Sequence, residues 1–179
     1  MRRFFSLVSI PLFAGVAAII IVSSAQAQSA APLTDAQKER IVANCVPMKA
    51  NLNQLHASDA LLRVNRGQIY ESMASNLMER FNTRLSNNSL DNRAMGTVTG
   101  NYRTALTEFR TNYIKYEQKV TQALRIDCDA QPESFYNALQ ESRELRSDVH
   151  ENVKRLHQLI DDYRSSVSGF LVNFERLSD

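Results

Sequence analysis

Apolar residues recur along most of this chain at spacings of three, four and seven, the repeat of α-helices packed on one another. The most regular run is Met95, Thr99, Tyr102, Leu106, Phe109, Tyr113, Tyr116, Val120 and Ala123, which alternates by four and three without a slip. That is a heptad seam. Gly96 and Gly100 fall near its start, and it ends around Asp127-Cys128-Asp129. Pro132 then suits the first position of a new helix, with Glu133 favourable in the first turn. This last helix carries Phe135 and Leu139, then polar Ser142 and Arg146 where the seam calls for apolar residues. From Val149 the pattern is strict again through Val153, Leu156, Ile160, Tyr163, Val167, Phe170, Phe174 and Leu177.

Before the regular seam the pattern is looser. Thr34-Asp35-Ala36-Gln37 reads as a capping box, in which Thr34 accepts from the N–H of residue 37 and Gln37 reaches back. The short helix it opens carries Ile41 and Val42 on its apolar side. Pro47 is expected to break or kink it, with helix resuming by about Met48. Leu52, Leu55, Leu62, Ile69, Met73, Leu77, Phe81 and Leu85 form the next stripe, weakened locally by Gly67. Ser86-Asn87-Asn88-Ser89 is the clearest turn, and Asn88 or Ser89 is placed to cap the next helix. Short connections make neighbouring helices antiparallel. The expected fold is all-α: an elongated antiparallel three-helix bundle with coiled-coil-like seams, plus a short N-terminal helix.

The first residues read differently. Met1-Arg2-Arg3 is basic, an apolar run extends from Phe4 to Val22, and Ser23-Ser24-Ala25-Gln26-Ala27 ends in a small-x-small pattern. These are the three parts of a secretory signal, with cleavage expected between Ala27 and Gln28 and Ala25 as the other small residue. The run, at about 19 residues, also approaches the length that spans a bilayer, so an uncleaved anchor stays open. The expected organisation is 1–27 signal peptide or anchor, 28–33 linker and 34–179 helical domain. Either alternative places the rest outside the cytoplasm: periplasmic, extracellular or at the cell surface.

Composition changes the picture in two respects. The chain has 21 basic and 19 acidic residues, and removing Arg2 and Arg3 leaves the remainder near neutral. The net charge is therefore no argument for nucleic acid or anionic lipid. With 5 glycines, 4 prolines and no Trp, the chain favours long helices.

The two cysteines test the topology. Cys45 lies about as far before the turn near Asn88 as Cys128 lies after it, so antiparallel helices of equal rise bring them to one end. In an exported protein such a pair is most simply a disulfide, worth about 4–5 kcal/mol in the chain-entropy model for a loop that long. No CxxC exists, and two cysteines without clustered His or Asp make a poor zinc site.

Catalytic chemistry is hard to find. There is no HExxH, GxSxG, glycine-rich phosphate loop or EF-hand loop. His150 and His157 are seven apart on one helix, roughly 10 Å along the axis and too far for one metal ion. His157 and Asp161 are spaced for an i, i+4 hydrogen bond. Tyr102, Phe109, Tyr113 and Tyr116 fall on the seam and read as core. No catalytic, cofactor or metal residue is assigned. Arg63, Asn65, Arg66 and Gln68 gather several donors around Gly67, either as a polar groove that receives a partner or as a helix interruption with Ser58 capping a new start. The Ser142 and Arg146 seam breaks are the sole hint of a polar cavity.

Leu33-Thr34-Asp35-Ala36-Gln37 resembles the LTxxQ motif of the Spy/CpxP-type periplasmic proteins, small all-helical chaperones and stress adaptors. The resemblance covers one pentapeptide and implies a holdase that cradles unfolded envelope proteins. The near-neutral charge departs from that family's basic cradle. The wider pattern, including Leu124-Arg125-Ile126-Asp127-Cys128, resembles exported helical proteins of bacteria and implies no activity. The expectation is a non-enzymatic interaction or structural module of the cell envelope, with a protein partner or a second copy of itself and no nucleic acid. A holdase is the alternative.

Overall fold

The computed structural model describes residues 32–178, with side chains described as far as residue 176. The candidate signal or anchor, its cleavage residues Ala25, Ala27 and Gln28, and the start of the linker lie outside the described residues. Among the described residues there is no strand, and the fold is all-α. The helices are α1 (Asp35–Ala43), α2 (Cys45–Ser72), a π-helical segment (Met73–Glu79), α3 (Arg80–Asn87), α4 (Arg93–Arg125) and α5 (Pro132–Ser178). Helical backbone angles continue through Ser72, Met73, Glu79 and Arg80, so α2, the π segment and α3 form one continuous rod.

The capping box at the start of α1 is formed: Gln37 N–H donates to Thr34 Oγ1 at 3.3 Å, and Thr34 N–H donates to Gln37 Oε1 at 2.8 Å. Ile41 is buried, but Val42 is exposed. The break falls at Asn44, not at Pro47, and helix resumes at Cys45, not Met48. Pro47 is the third residue of α2, in a first turn whose N–H groups have no intrahelical acceptor to lose. At the other turn, Ser89 takes φ 55° and neither it nor Asn88 caps α4. Asp91 does that work: its carboxylate accepts from the Arg93 N–H at 3.1 Å and pairs with the Arg93 guanidinium at 2.7 Å. Between α4 and α5, Asp127 accepts from the N–H groups of Asp129 and Ala130, and α5 starts at Pro132 as its sequence predicts.

All nine seam residues of α4 are buried. They pack on α5, which runs antiparallel: Asn112 meets Asn152 while Lys119 meets Glu141. On α5, Phe135, Leu156 and Tyr163 are buried, joined by Leu159 and Ala138 from outside the predicted seam, whereas Phe174 is exposed. Three apolar clusters result. One lies toward the α3–α4 turn around Met78, Tyr102, Leu106 and Leu156. A second surrounds Tyr116, Val120 and Ala138. The third, around Ile41 and Phe135, encloses the Cys45–Cys128 disulfide. Its Cα atoms are 5.7 Å apart and its cysteines 83 residues apart in sequence. The cysteine pairing expected from the chain's hairpin geometry is present.

The stripe read for α2 is where the structure differs most. Leu52 and Leu85 are buried, but Leu55, Leu62, Ile69 and Leu77 are exposed. The residues turned to the core are Leu52, Tyr70, Ala74, Met78, Asn82 and Leu85. An apolar stripe fixes a face only when the neighbours cover it, and here the neighbours cover the adjacent face. The π segment widens the helix beside that face. The hydroxyls of Tyr102 and Tyr163 donate to the carbonyls of Tyr70 and Met78, at 3.1 and 3.2 Å, holding its two ends. Tyr163 also donates to Asn82 Oδ1, and Asn82 donates to Thr99, so these buried polar groups are satisfied.

Candidate functional site

Between Leu52 and Tyr70 not one α2 side chain is buried. The helix nevertheless passes through Ser58 and Gly67 without interruption, so the expected break with a new cap at Ser58 does not occur. Ala57, Ala60 and long-chain residues such as Leu61, Leu62, Arg63 and Gln68 keep it helical; what it lacks is cover. Beneath its inner side lies an open slot of about 670 Å³, floored by Phe109, Tyr113 and Tyr116 of α4 and walled by α5.

Two polar bridges frame the slot. At one end Arg146 donates to both Asp59 oxygens, at 2.8 and 3.1 Å, and the Tyr116 hydroxyl donates to Asp59 Oδ2 at 2.7 Å. At the other end the Tyr70 hydroxyl and His157 Nε2 are 3.1 Å apart. Both pairs are separated by 87 residues in sequence, which shows α2 and α5 running parallel in a fixed register. The bridges are about three helical turns apart, roughly 16 Å. His157 therefore meets Tyr70 across the slot, and the expected Asp161 partnership gives way to that contact.

The electrostatics are one-sided. Burial disfavours the Asp59 carboxylate, yet hydrogen bonds from Arg146 and Tyr116 outweigh it and hold its carboxyl below the usual range. The same contact raises Arg146 further, and burial with Asp59 pushes the Tyr116 phenol well up. Asp59 is thus committed. Arg63 lies over the Tyr113 ring, 5.1 Å from its centroid, and Arg143 reaches Gln140. Among the described residues no carboxylate forms an ion pair with Arg63, Arg66 or Arg143. The Tyr113 hydroxyl is shielded from solvent and has no hydrogen-bond partner, and the same holds for His56 Nε2 one turn from Asp59. Burial raises the Tyr113 phenol, so it stays a donor.

Of the residues singled out in sequence, Arg63 and Arg66 line the slot. Gln68 lies with Val64 and Gly67 at a shallower hollow of about 320 Å³, and Asn65 is exposed on the outer side. Arg146 marks one end of the slot, in keeping with its break of the seam. His150 and His157, too far apart in sequence terms for one metal ion, both line the slot, whereas Asp59, Tyr70 and Arg143 carry no mark in the sequence. The signal available is the equal separation of Asp59 from Arg146 and Tyr70 from His157. A further hollow of about 680 Å³ at the α4–α5 corner, lined by Glu117, Arg125 and Asp127 among others, carries both charge signs and selects no ligand. Among the described residues no three His, Cys, Asp or Glu side chains are grouped to hold a metal ion, and no helix is long and apolar enough to cross a membrane. No family model, curated protein or solved structure matches the chain.

Proposed function

We propose that this chain is a non-enzymatic exported protein acting as an interaction or structural module of the cell envelope, and that the middle of α2 meets its protein partner. One observation carries the reading: α2 buries no side chain between Leu52 and Tyr70, while it offers Arg63, Asn65 and Arg66 beside exposed Leu61, Leu62 and Val64. Arginine is enriched at interface centres, and exposed apolar side chains grouped beside it are a surface that a partner would cover. The rod of α2, the π segment and α3, with α4 and α5, acts in this reading as an elongated three-helix bundle with coiled-coil-like seams, α1 being the short N-terminal helix. The disulfide supports an oxidising location outside the cytoplasm, as the N-terminal signal pattern does. Among the described residues Asp59 is the one acid lining the slot, and it is tied to Arg146 and Tyr116, which leaves no free carboxylate from them to act as a base there.

The test is photo-crosslinking inside the native envelope from residue 65 on α2 and, as control, from exposed residue 111 on α4, with mass spectrometry of what is captured. One dominant protein from residue 65 alone is the expected result. Capture of only the chain itself would make it a structural homo-oligomer, and equal capture from both positions would remove α2 as the contact surface. The cluster of exposed Leu55, Leu61, Leu62, Val64 and Ile69 favours a second reading, the LTxxQ-like holdase. That reading predicts many unrelated captured proteins and slowed aggregation of unfolded clients near stoichiometric ratios.

A further inference from the structure

The slot has a chemistry of its own, separable from the outer side of α2 because Asn65 does not line it. Its volume of about 670 Å³ falls in the usual range of small-molecule sites, roughly 300–1,000 Å³. Arg63, Arg66 and Arg143 border it without an ion-paired carboxylate, since Asp59 neutralises Arg146 alone. Leu62, Phe109, Val149 and Val153 supply an apolar wall and floor beside them. Tyr113, only 3% exposed, contributes a solvent-shielded hydroxyl with no acceptor.

Each feature excludes a simpler occupant. A bare anion would use the guanidinium groups and leave the apolar lining wet. A neutral chain would cover the lining and leave three cations facing an apolar body, at a desolvation cost. A cation is repelled. We propose that the slot binds an anionic amphiphile, a carboxylate or phosphate head joined to an apolar chain. The head lies by Arg63 and Arg66, about one turn apart on α2, where guanidinium forks match carboxylate and phosphate oxygens in pairs, and Arg143 adds positive charge at the Asp59–Arg146 end. The Tyr113 hydroxyl donates to the head once Arg63 turns from the ring toward it. The chain lies along Leu62, Phe109, Val149 and Val153, and the Asp59–Arg146 and Tyr70–His157 bridges bound its length.

Calorimetry on the full chain, purified as exported, tests this with dodecanoate, dodecyl phosphate, dodecanol, dodecyltrimethylammonium, acetate and inorganic phosphate, all below micellar concentration. Saturable binding of one anionic amphiphile per chain is expected, about tenfold or more tighter than dodecanol, with the cation not bound. Binding of dodecanoate alone identifies a carboxylate head, and of dodecyl phosphate alone a phosphate head. Arg63→Glu with Arg66→Glu should weaken it about tenfold or more with helix content by circular dichroism unchanged. Should that pair unfold, Arg66→Gln at its exposed position repeats the test. Tyr113→Phe should weaken it a few-fold. Dodecanol binding as tightly, acetate or phosphate binding as tightly as the long chains, or indifference to the arginine changes would each overturn the proposal.

Discussion

Helices α2 and α4 show how little an apolar stripe says until its neighbours are known. In α4, Met95 through Ala123 repeat at four and three, and every one is buried. In α2, Leu55, Leu62 and Ile69 repeat at seven and all three are exposed, with Leu62 at 53%. The difference lies in what stands opposite. α4 runs between α2 and α5 and is covered on two sides. α2 shares apolar clusters with α4 and α5 at its two ends, through Leu52 and Tyr70, but between them it faces α5 only across the Asp59–Arg146 and Tyr70–His157 bridges with open space between. Burial decides stability, and the middle of α2 has little of it, which is why the proposed partner contact is placed there.

The comparison can be broken or sharpened in order of expected effect. The disulfide is the strongest tie on α2, since it anchors the start of that helix to the α4–α5 connection. Replacing both cysteines by alanine should lower the free energy of unfolding by about 4 kcal/mol, read from denaturant midpoints. Leu106→Ala in α4, where Leu106 is buried, should cost about 2–5 kcal/mol in the same assay. Asp59→Asn removes the carboxylate that Arg146 and Tyr116 both use, and should cost roughly 1–3 kcal/mol. Leu62→Ala in α2 should change stability by no more than about 0.5 kcal/mol, because Leu62 is 53% exposed in the folded chain. Equal losses for Leu106→Ala and Leu62→Ala would erase the distinction between the two helices.

The sign of the pH dependence follows from Asp59. Its carboxyl is held below the ordinary value of 3.8 in the folded chain. A depressed carboxyl stabilises the fold above the unfolded value and loses that contribution as pH falls through the lower, folded value. Acidification below roughly pH 4 should therefore weaken the α2–α5 bridge in the native chain, and Asp59→Asn should remove that part of the pH dependence of the unfolding midpoint.

Much of the fold is legible in the sequence because the signals are local or symmetric. The Thr34–Gln37 box, Pro132 at a helix start, the α4 seam and the cysteine pairing follow from spacing alone. The α4 start is misleading because Asp91, outside the Asn-rich turn, supplies the acceptor that Asn88 and Ser89 are spaced to give. The inner side of α2 is misleading because the core takes Tyr70, Ala74 and Met78 there, while larger aliphatic residues stay outside. A π segment leaves no sequence signature comparable to a cap, and its support comes from the distant hydroxyls of Tyr102 and Tyr163. The slot is half legible. Arg63, Arg66 and Arg146 break a pattern, but Arg143, Tyr70 and Asp59 acquire meaning only when α2 and α5 lie side by side.

Amide hydrogen exchange on the isolated chain bears most directly on the claim that the middle of α2 is presented and not packed. Exchange at residues 53–69 should be at least about tenfold faster than at residues 102–120, because few packed contacts oppose local opening there. Equal protection in the two segments would show that α2 is held as firmly as α4, and would contradict the account.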